Sequence, residues 1–355
     1  MRYLITVSSL TPGSGLSRYV FSLCRLLVKG GNEVYVLTTH DDSTISYERN
    51  ELDSISKGIH LISLGHKNKL RKYIEVVRAV NRIHPEVIIN NYNAVVQYIL
   101  PFISNKIKII HVLHNDTDDF YRVASINGHK TNGWIAPTES IASHFNKYTL
   151  NKYADKVTVI PHGVEEAVFK KKNNAKLEIV YAGVLYEHKG VKILPPIIKR
   201  LQDKGIDLHF TIIGGGVLDN WLREQFAKEV ESGIVTFTGV IDHDKVYEEM
   251  SKADIFLYPT HLDAFGLVIA EAMMNGAVPV VTLLRGITDR LVDNEVNGFL
   301  LNQDDIKAFV KTLSLLINNN ELRIKLSEAA HSKSLNFFSM EKMEINYRQY
   351  FSQFK

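Results

Sequence analysis

Cysteine is almost missing: one residue, Cys24, in 355. That excludes an internal disulfide framework and a cysteine-rich zinc site. Cys24 itself lies in an apolar helical pattern and reads as a buried structural thiol. Long apolar runs are also missing. No stretch reaches the roughly 18 residues that a membrane span needs, and the opening "MRYLITVSSLTPGSG" is too short in its apolar part for a signal peptide. Charge of one sign is scarce too. Lys and Arg number 42 against 39 Asp and Glu, a formal net charge of +3, which speaks against a nucleic-acid binder with its dense basic face. Histidines are scattered without metal-ligand spacing. The nearest acidic group after a strand, Asp116, Asp118 and Asp119 in "HNDTDDFY", sits at a helix start, where capping and solvation explain it. No metal ligand is assigned.

What is present is an alternation. Short β-branched runs recur from end to end: "RYLITV", "NEVYVLTT", "IHLISL", "EVIIN", "IKIIHVLH", "GWIAPT" and "KVTVIP", then "LEIVYAGV", "LHFTIIGGG", "IVTFTGV", "DIFLYPT", "AVPVVTL" and "GFLL". They are nearly continuous in apolar character, as strands covered on both faces are. Amphipathic helical patterns separate them. In "SRYVFSLCRLLVKGG", Val20, Cys24 and Leu27 fall at helical spacing, and Gly30 and Gly31 provide the stop. The fold class is therefore α/β, with doubly wound parallel sheets. Around 164–176 the polar stretch "VEEAVFKKKNNAK" interrupts the alternation and reads as a linker. The expected organisation is two Rossmann-like domains, 1–163 and 177–335, and a helical tail, 336–355, placed to pack back on the first domain. Ligands of such sheets bind at the C-terminal ends of the strands, so the site is expected in the cleft between the domains.

One stretch carries chemistry. In "HLDAFGLVIAEAMMNGAVPVV", Asp263 and Glu271 stand eight positions apart. Asp263 falls in the loop after a strand, and a helix is expected to begin near Phe265 or Gly266. The first N–H groups of a helix lack internal partners, the dipole is positive there, and a glycine lets a phosphate approach. An acid on either side suits a sugar–diphosphate–ribose ligand. A plain capping Asp followed by a Glu on a solvated helix face explains the two acids equally well.

The same stretch resembles the donor-binding motif of family 4 retaining glycosyltransferases (glycosyl transferases group 1), whose two-domain architecture is called GT-B. That motif has two acids separated by seven residues around Phe-Gly-Leu, then Glu-Ala-Met and Gly-x-Pro. "YAGVLYEHKG", "IIGGG", "FTGVIDHDKVYEEMSKADIFLYPT", "VIPHGVEEAVF" and "GSGLSRYVFSL" are similar to other segments of the family, so the likeness spans nearly the whole chain. It implies that Asp263 holds donor-sugar hydroxyls, that Glu271 binds the ribose, and that Gly266 and Leu267, beside Phe265, offer backbone N–H groups. Lys189 would neutralise the departing diphosphate. Gly183, Gly214 and Val240 would line the donor, Gly15 would close over its phosphates, and His114 would orient the reacting sugar. The catalytic trio it implies is Asp263, Lys189 and His114. Two positions depart from the family. Val184 stands where an arginine usually pairs with the lysine, leaving Arg18 or Arg285 as substitutes, and Asp263 is one methylene shorter than the usual Glu.

The resemblance implies no cofactor and no metal. The donor is a nucleotide sugar, UDP- or GDP-linked, and the acceptor a glycan or lipid-linked glycan of a cell-surface polysaccharide such as an O-antigen or capsule. The chain is expected in the cytoplasm. The basic amphipathic segment 66–84, "HKNKLRKYIEVVRAVNRIH", suits either the outer face of a Rossmann helix or contact with the inner face of the membrane. Two alternatives carry different expectations: a GT-B sugar-nucleotide epimerase needs no acceptor, and a non-catalytic sugar-nucleotide-binding subunit shows no turnover. A dehydrogenase fits less well, because "GSGLSR" lacks the full Gly-x-Gly-x-x-Gly run.

Overall fold

A computed structural model describes residues 1–11, 14–40, 45–65, 68–168 and 176–354. Pro12, Gly13, His66, Lys67 and part of the expected linker lie outside the described residues. The chain forms two compact units, Met1–Gly163 with Met343–Lys355, and Val164–Lys342.

The first unit is built on seven strands: β1 (Arg2–Val7), β2 (Glu33–Thr38), β3 (His60–Ser63), β4 (Val87–Asn91), β5 (Lys108–Val112), β6 (Gly133–Ala136) and β7 (Val157–Val159). Their order is β3-β2-β1-β4-β5-β6-β7, with every pairing parallel. Successive residues of β4 and β6 are all buried, so both faces of the sheet are covered, which is why these strands read as unbroken apolar runs. The closing helix Met340–Ser352 contributes its last turns to this unit. Phe351 meets the edge of the Tyr3 ring at 5.3 Å, the Tyr347 and Tyr19 hydroxyls hydrogen-bond, and Lys29 pairs with Glu344 at 2.9 Å. Gly133 makes room for it, since a Cβ there would lie 2.0 Å from the Tyr350 hydroxyl.

The second unit has six strands: β8 (Leu177–Ala182), β9 (Leu208–Ile213), β10 (Val235–Gly239), β11 (Ile255–Tyr258), β12 (Val278–Thr282) and β13 (Phe299–Leu301). Their order is β10-β9-β8-β11-β12-β13, again all parallel. Val164 is tied into this unit: its N–H donates to Phe338 O at 2.7 Å, and its carbonyl accepts from Met340 N at 3.0 Å. The apolar helix Leu267–Met274 is buried on nearly all sides. Helix Asn320–Phe338 covers it, with Ser334 donating to Ala270 O at 2.8 Å.

All thirteen apolar runs of the sequence become strands. In each sheet the order reverses once, between β1 and β4 and between β8 and β11, and the C-terminal ends of strands at such a switch point are where ligands bind. Among the described residues no helix is long and apolar enough to cross a membrane.

Candidate active site

The loops that follow β8 and β11 meet at the switch point of the second unit. After β8 the chain turns through Gly183 and a short 3-10 helix, Glu187–Lys189, that ends at Gly190. Gly190 has φ +67°, and a Cβ there would stand 1.8 Å from the Pro259 carbonyl oxygen. Only glycine lets the two loops touch, and the touch delivers Lys189 to Asp263. The Lys189 Nζ donates to Asp263 Oδ2 at 3.0 Å and to Leu262 O at 2.9 Å. It also stands 5.6 Å over the Tyr258 ring.

Asp263 is saturated. Its Oδ1 accepts the backbone N–H groups of Ala264, Phe265 and Gly266 at 2.8, 3.3 and 2.9 Å, and the Tyr258 hydroxyl donates to Oδ2 at 2.9 Å. Side-chain exposure is 15% for Lys189 and 16% for Asp263, so the pair is largely out of water yet still reachable. Burial alone would lift the Asp263 carboxyl. The Lys189 charge, its hydrogen bond, the Tyr258 hydroxyl and the Gly266 amide outweigh that and hold it below the usual carboxylate range. Tyr258 moves the opposite way, well above the usual phenol range, through burial first and the Asp263 charge second.

The helix begins one to two residues later than the sequence suggests, at Leu267, after Gly266 at φ +83°. Gly266 spends its N–H on Asp263, so Leu267 supplies the first helical N–H. Phe265 is core, 6% exposed, with its ring edge-on to Phe338 at 5.9 Å. Glu271 is 2% exposed. His243 Nε2 reaches its Oε1 at 3.1 Å, and the His243 ring packs against Tyr247 at 4.6 Å. His243, with a side chain 31% exposed, is the surface end of that buried acid. Sequence reasoning missed both His243 and Tyr258; the only signal was their position in segments that flank the motif.

Three loops beside Lys189 touch backbone to backbone. Gly183 N donates to Ile213 O, Gly214 N to Gly239 O, and Leu185 N to Gly215 O, at 3.0, 2.9 and 3.0 Å. Gly214 has φ +127°, and a Cβ there would stand 2.0 Å from the Gly183 carbonyl oxygen. Val184 and Val240 project outward at 37% and 61% exposure. The Val184 carbonyl accepts from the Tyr181 hydroxyl at 3.2 Å. Arg285 is an exposed residue beyond β12.

The first unit gathers its own polar groups where β1, β4 and β5 end. Gly15 is the first residue of helix Gly15–Lys29, and Gly13 lies outside the described residues. His114 follows β5. Its Nε2 is 2.9 Å from Asn91 Oδ1, and its ring packs against Tyr19 at 4.8 Å and His162 at 5.6 Å. Burial, then the neighbouring His162 and His111, holds its pKa well below the usual imidazole range. Beneath it Asn90, Asn93, Gln97 and His111 form a fully buried polar network. Asn90 Nδ2 donates to Gln97 Oε1 at 3.1 Å, and Thr6 donates to Asn90 Oδ1 at 3.0 Å. Asp116, read from the sequence as a cap, accepts from Tyr121 at 2.7 Å and lies 2.7 Å from His144 Nδ1.

Two family descriptions divide the chain between them: Glycosyltransferase Family 4 matches residues 13–168 and Glycosyl transferases group 1 matches 164–333. The chain is a GT-B glycosyltransferase. An uncharacterized glycosyltransferase of Methanocaldococcus jannaschii is 26% identical over 87% of this chain and 88% of its own. CapM of Staphylococcus aureus, a capsular polysaccharide biosynthesis glycosyltransferase, is 27% identical over 58% of each chain, so this chain spans little more than half of that relative. The crystal structure of Anabaena HepE in complex with UDP and glucose has the same fold, with a TM-score of 0.81 over 99% of this chain and 100% of that one at 15% identity. Within this GT-B chain, the Lys189–Asp263–Tyr258 group sits at the switch point of the unit matched to group 1.

Proposed function

We propose that this chain transfers a hexose or related sugar, with retention and without a metal, from a UDP- or GDP-sugar to a hydroxyl of a glycan. The glycan belongs to a cell-surface polysaccharide such as an O-antigen or capsule, in lipid-linked form. The observation that carries this reading is the Lys189 ammonium, held at a switch point by the Asp263 carboxylate and the Leu262 carbonyl. As the sugar leaves, negative charge grows on the diphosphate oxygen, and a fixed cation stabilises that charge more than it stabilises the ground state. Lys189 serves in place of a divalent ion. Retention follows from the resemblance, as does the assignment of His114 to the donor sugar. CapM and HepE support the acceptor class and the donor class respectively.

Thermal unfolding in chelator with UDP, GDP, ADP and CMP tests the donor half. A ligand of the folded state alone raises the Tm. One nucleoside diphosphate should raise it, and Glu271→Gln, which replaces the carboxyl group beneath His243 by an amide, should shrink that rise. If none of them raises the Tm, the donor reading is wrong. If the nucleotide binds but no acceptor supports turnover, the chain is a binding subunit, the reading that Val184 in place of an arginine favours.

The segment 66–84 supports membrane contact through its shape. In helix Lys69–Ile83, Val76, Val80 and Ile83 are buried, while Leu70 and Ile74 are 69% and 44% exposed. Tyr98, 45% exposed, adds a ring 6.3 Å from that of Tyr73, and Lys69, Arg71 and Lys72 supply charge. Lys67 lies outside the described residues. Anionic vesicles should sediment the chain, neutral vesicles should not, and Leu70→Glu/Ile74→Glu should abolish the difference. Equal sedimentation of the variant would leave 66–84 an ordinary solvated helix.

A further inference from the structure

Two hydrogen bonds fix which nitrogen of His114 carries the proton. Asn91 is fully buried at the end of β4. Its Nδ2 donates to the Ile89 carbonyl at 3.2 Å. A carbonyl only accepts, so the amide must turn its NH2 group toward Ile89, and Oδ1 must face the imidazole. An amide oxygen also only accepts. The ring nitrogen 2.9 Å from it, Nε2, must therefore be the one that bears hydrogen. Burial keeps the ring neutral, so the proton on Nε2 leaves Nδ1 with a bare lone pair. Among the described residues no group hydrogen-bonds Nδ1. Turning the ring over would put a carbon, Cε1, where Nε2 now meets Asn91 and would lose that bond.

We propose that Asn91 is a positioning residue that holds His114 as the Nε2–H tautomer, so that Nδ1 is a hydrogen-bond acceptor and never a donor. This deepens, and rests on, the reading of His114 as a contact of the reacting sugar. The chemistry at that point is then selective: Nδ1 accepts from a hydroxyl and rejects a group that can only accept, such as a carboxylate or the oxygen of a methyl ether. The groups that face His114 are Asn91, the Tyr19 phenol, His162 and, behind them, His111, and both histidines are held neutral by burial. Among the described residues no carboxylate touches the ring. An aspartate at 91 would change that with almost no change of shape.

The test uses the full chain labelled with 15N-histidine, with the His114 signals assigned by their loss in His114→Gln. Long-range proton–nitrogen spectra at pH 7 should show His114 with protonated Nε2 and bare Nδ1. In Asn91→Asp the carboxylate accepts the same N–H and stabilises the imidazolium, so both nitrogens should appear protonated at pH 7. Turnover of that variant should fall about tenfold or more at pH 6 and recover as pH rises through the new pKa, while the wild type shows no such limb. A wild-type Nδ1–H tautomer, or an Asn91→Asp pH profile that superimposes on the wild type, overturns the proposal. The spectra need no turnover, so a failure of the glycosyltransferase reading would show separately, as the absence of any nucleotide response.

Discussion

Lys189→Ala is expected to lower turnover about 10²–10³-fold with the matching donor, the size of effect seen when one preorganised group facing a developing negative charge is lost. The same substitution also strips the cation from Asp263. Breaking a buried pair from one side costs about 3–5 kcal/mol; with both side chains still 15–16% exposed, about 2 kcal/mol is the reasonable scale here. The two losses separate in a second variant. Lys189→Met/Asp263→Asn removes both charges with similar volume and leaves Oδ1 able to accept from Ala264, Phe265 and Gly266. It should recover most of the stability and none of the turnover. Steady-state kinetics and urea unfolding on the two variants decide the matter. A Lys189→Ala enzyme within threefold of wild type would remove Lys189 from the chemistry, whatever its stability. The pH dependence has a definite sign. The Asp263 carboxyl is depressed in the folded chain, so its stabilising contribution is present above the ordinary carboxylate pKa and is lost only as pH falls through the folded value. Between pH 5 and 8 the stability gap between wild type and Lys189→Ala should stay flat.

The geometry around Asp263 also refines the role that the resemblance gives it. A carboxylate that already accepts five hydrogen bonds, three of them from the loop that leads into helix Leu267–Met274, is first of all what holds that loop and Lys189 together. The aspartate's short stem keeps it close enough to its own backbone to do this, in the manner of an Asx turn. Asp263 therefore braces the loop ahead of the helix rather than capping the helix itself, and Glu271, 2% exposed, is not on the solvated face that the plain capping explanation requires.

Strand positions were legible because a parallel sheet covered on both faces leaves no polar alternation to confuse with a helix. Each of the thirteen runs carried its own local signal, and the glycines that mark loop contacts were in plain view. What could not be read were pairs that meet only through topology. His243 and Glu271 are 28 positions apart, and nothing local to "DHDKVYEEM" says that its histidine covers the buried acid. Tyr258 read as the last apolar residue of a strand, although its hydroxyl finds Asp263. The polar cluster in "IINNYNAVVQY" carries no local sign of burial. In the structure Asn90, Asn91, Asn93 and Gln97 are buried, because β4 ends at a switch point where backbone groups of β1 and side chains of β5 need partners. Three asparagines within four residues, where an apolar strand ends, are the signal that was there to be used.

That buried network predicts acid lability confined to one half of the chain. His111, His114 and His162 all lie in the first unit, and burial depresses the pKa of each, to about 3 for His111 and His162 and well below the usual range for His114. The unfolded chain protonates all three near pH 6.5. Below that pH the unfolded state binds more protons than the folded one, so stability falls as pH falls, by about 4 kcal/mol per pH unit once three protons are involved. A domain stability of about 5–15 kcal/mol is then largely consumed by pH 4.5–5, before most carboxylates titrate. Among the described residues of the second unit no histidine is buried. There His209 is pulled upward, first by its hydrogen bond to Glu178, and that contribution favours the folded state in acid, while the downward shift of His188 opposes it. The two tryptophans report the halves separately, Trp134 in the first unit and Trp221 in the second. Urea unfolding of Trp221→Phe and Trp134→Phe chains at pH 7.5, 6 and 5 should show the first unit weakening steeply while the second barely moves, and His162→Phe should reduce the slope of the first by about one third. Parallel weakening of both units would mean that the histidines are not the cause. The burial that makes the first unit fragile in acid is the same burial that keeps His114 uncharged, so a variant that removes the fragility by wetting this cluster should also lose the acceptor nitrogen that the ring presents.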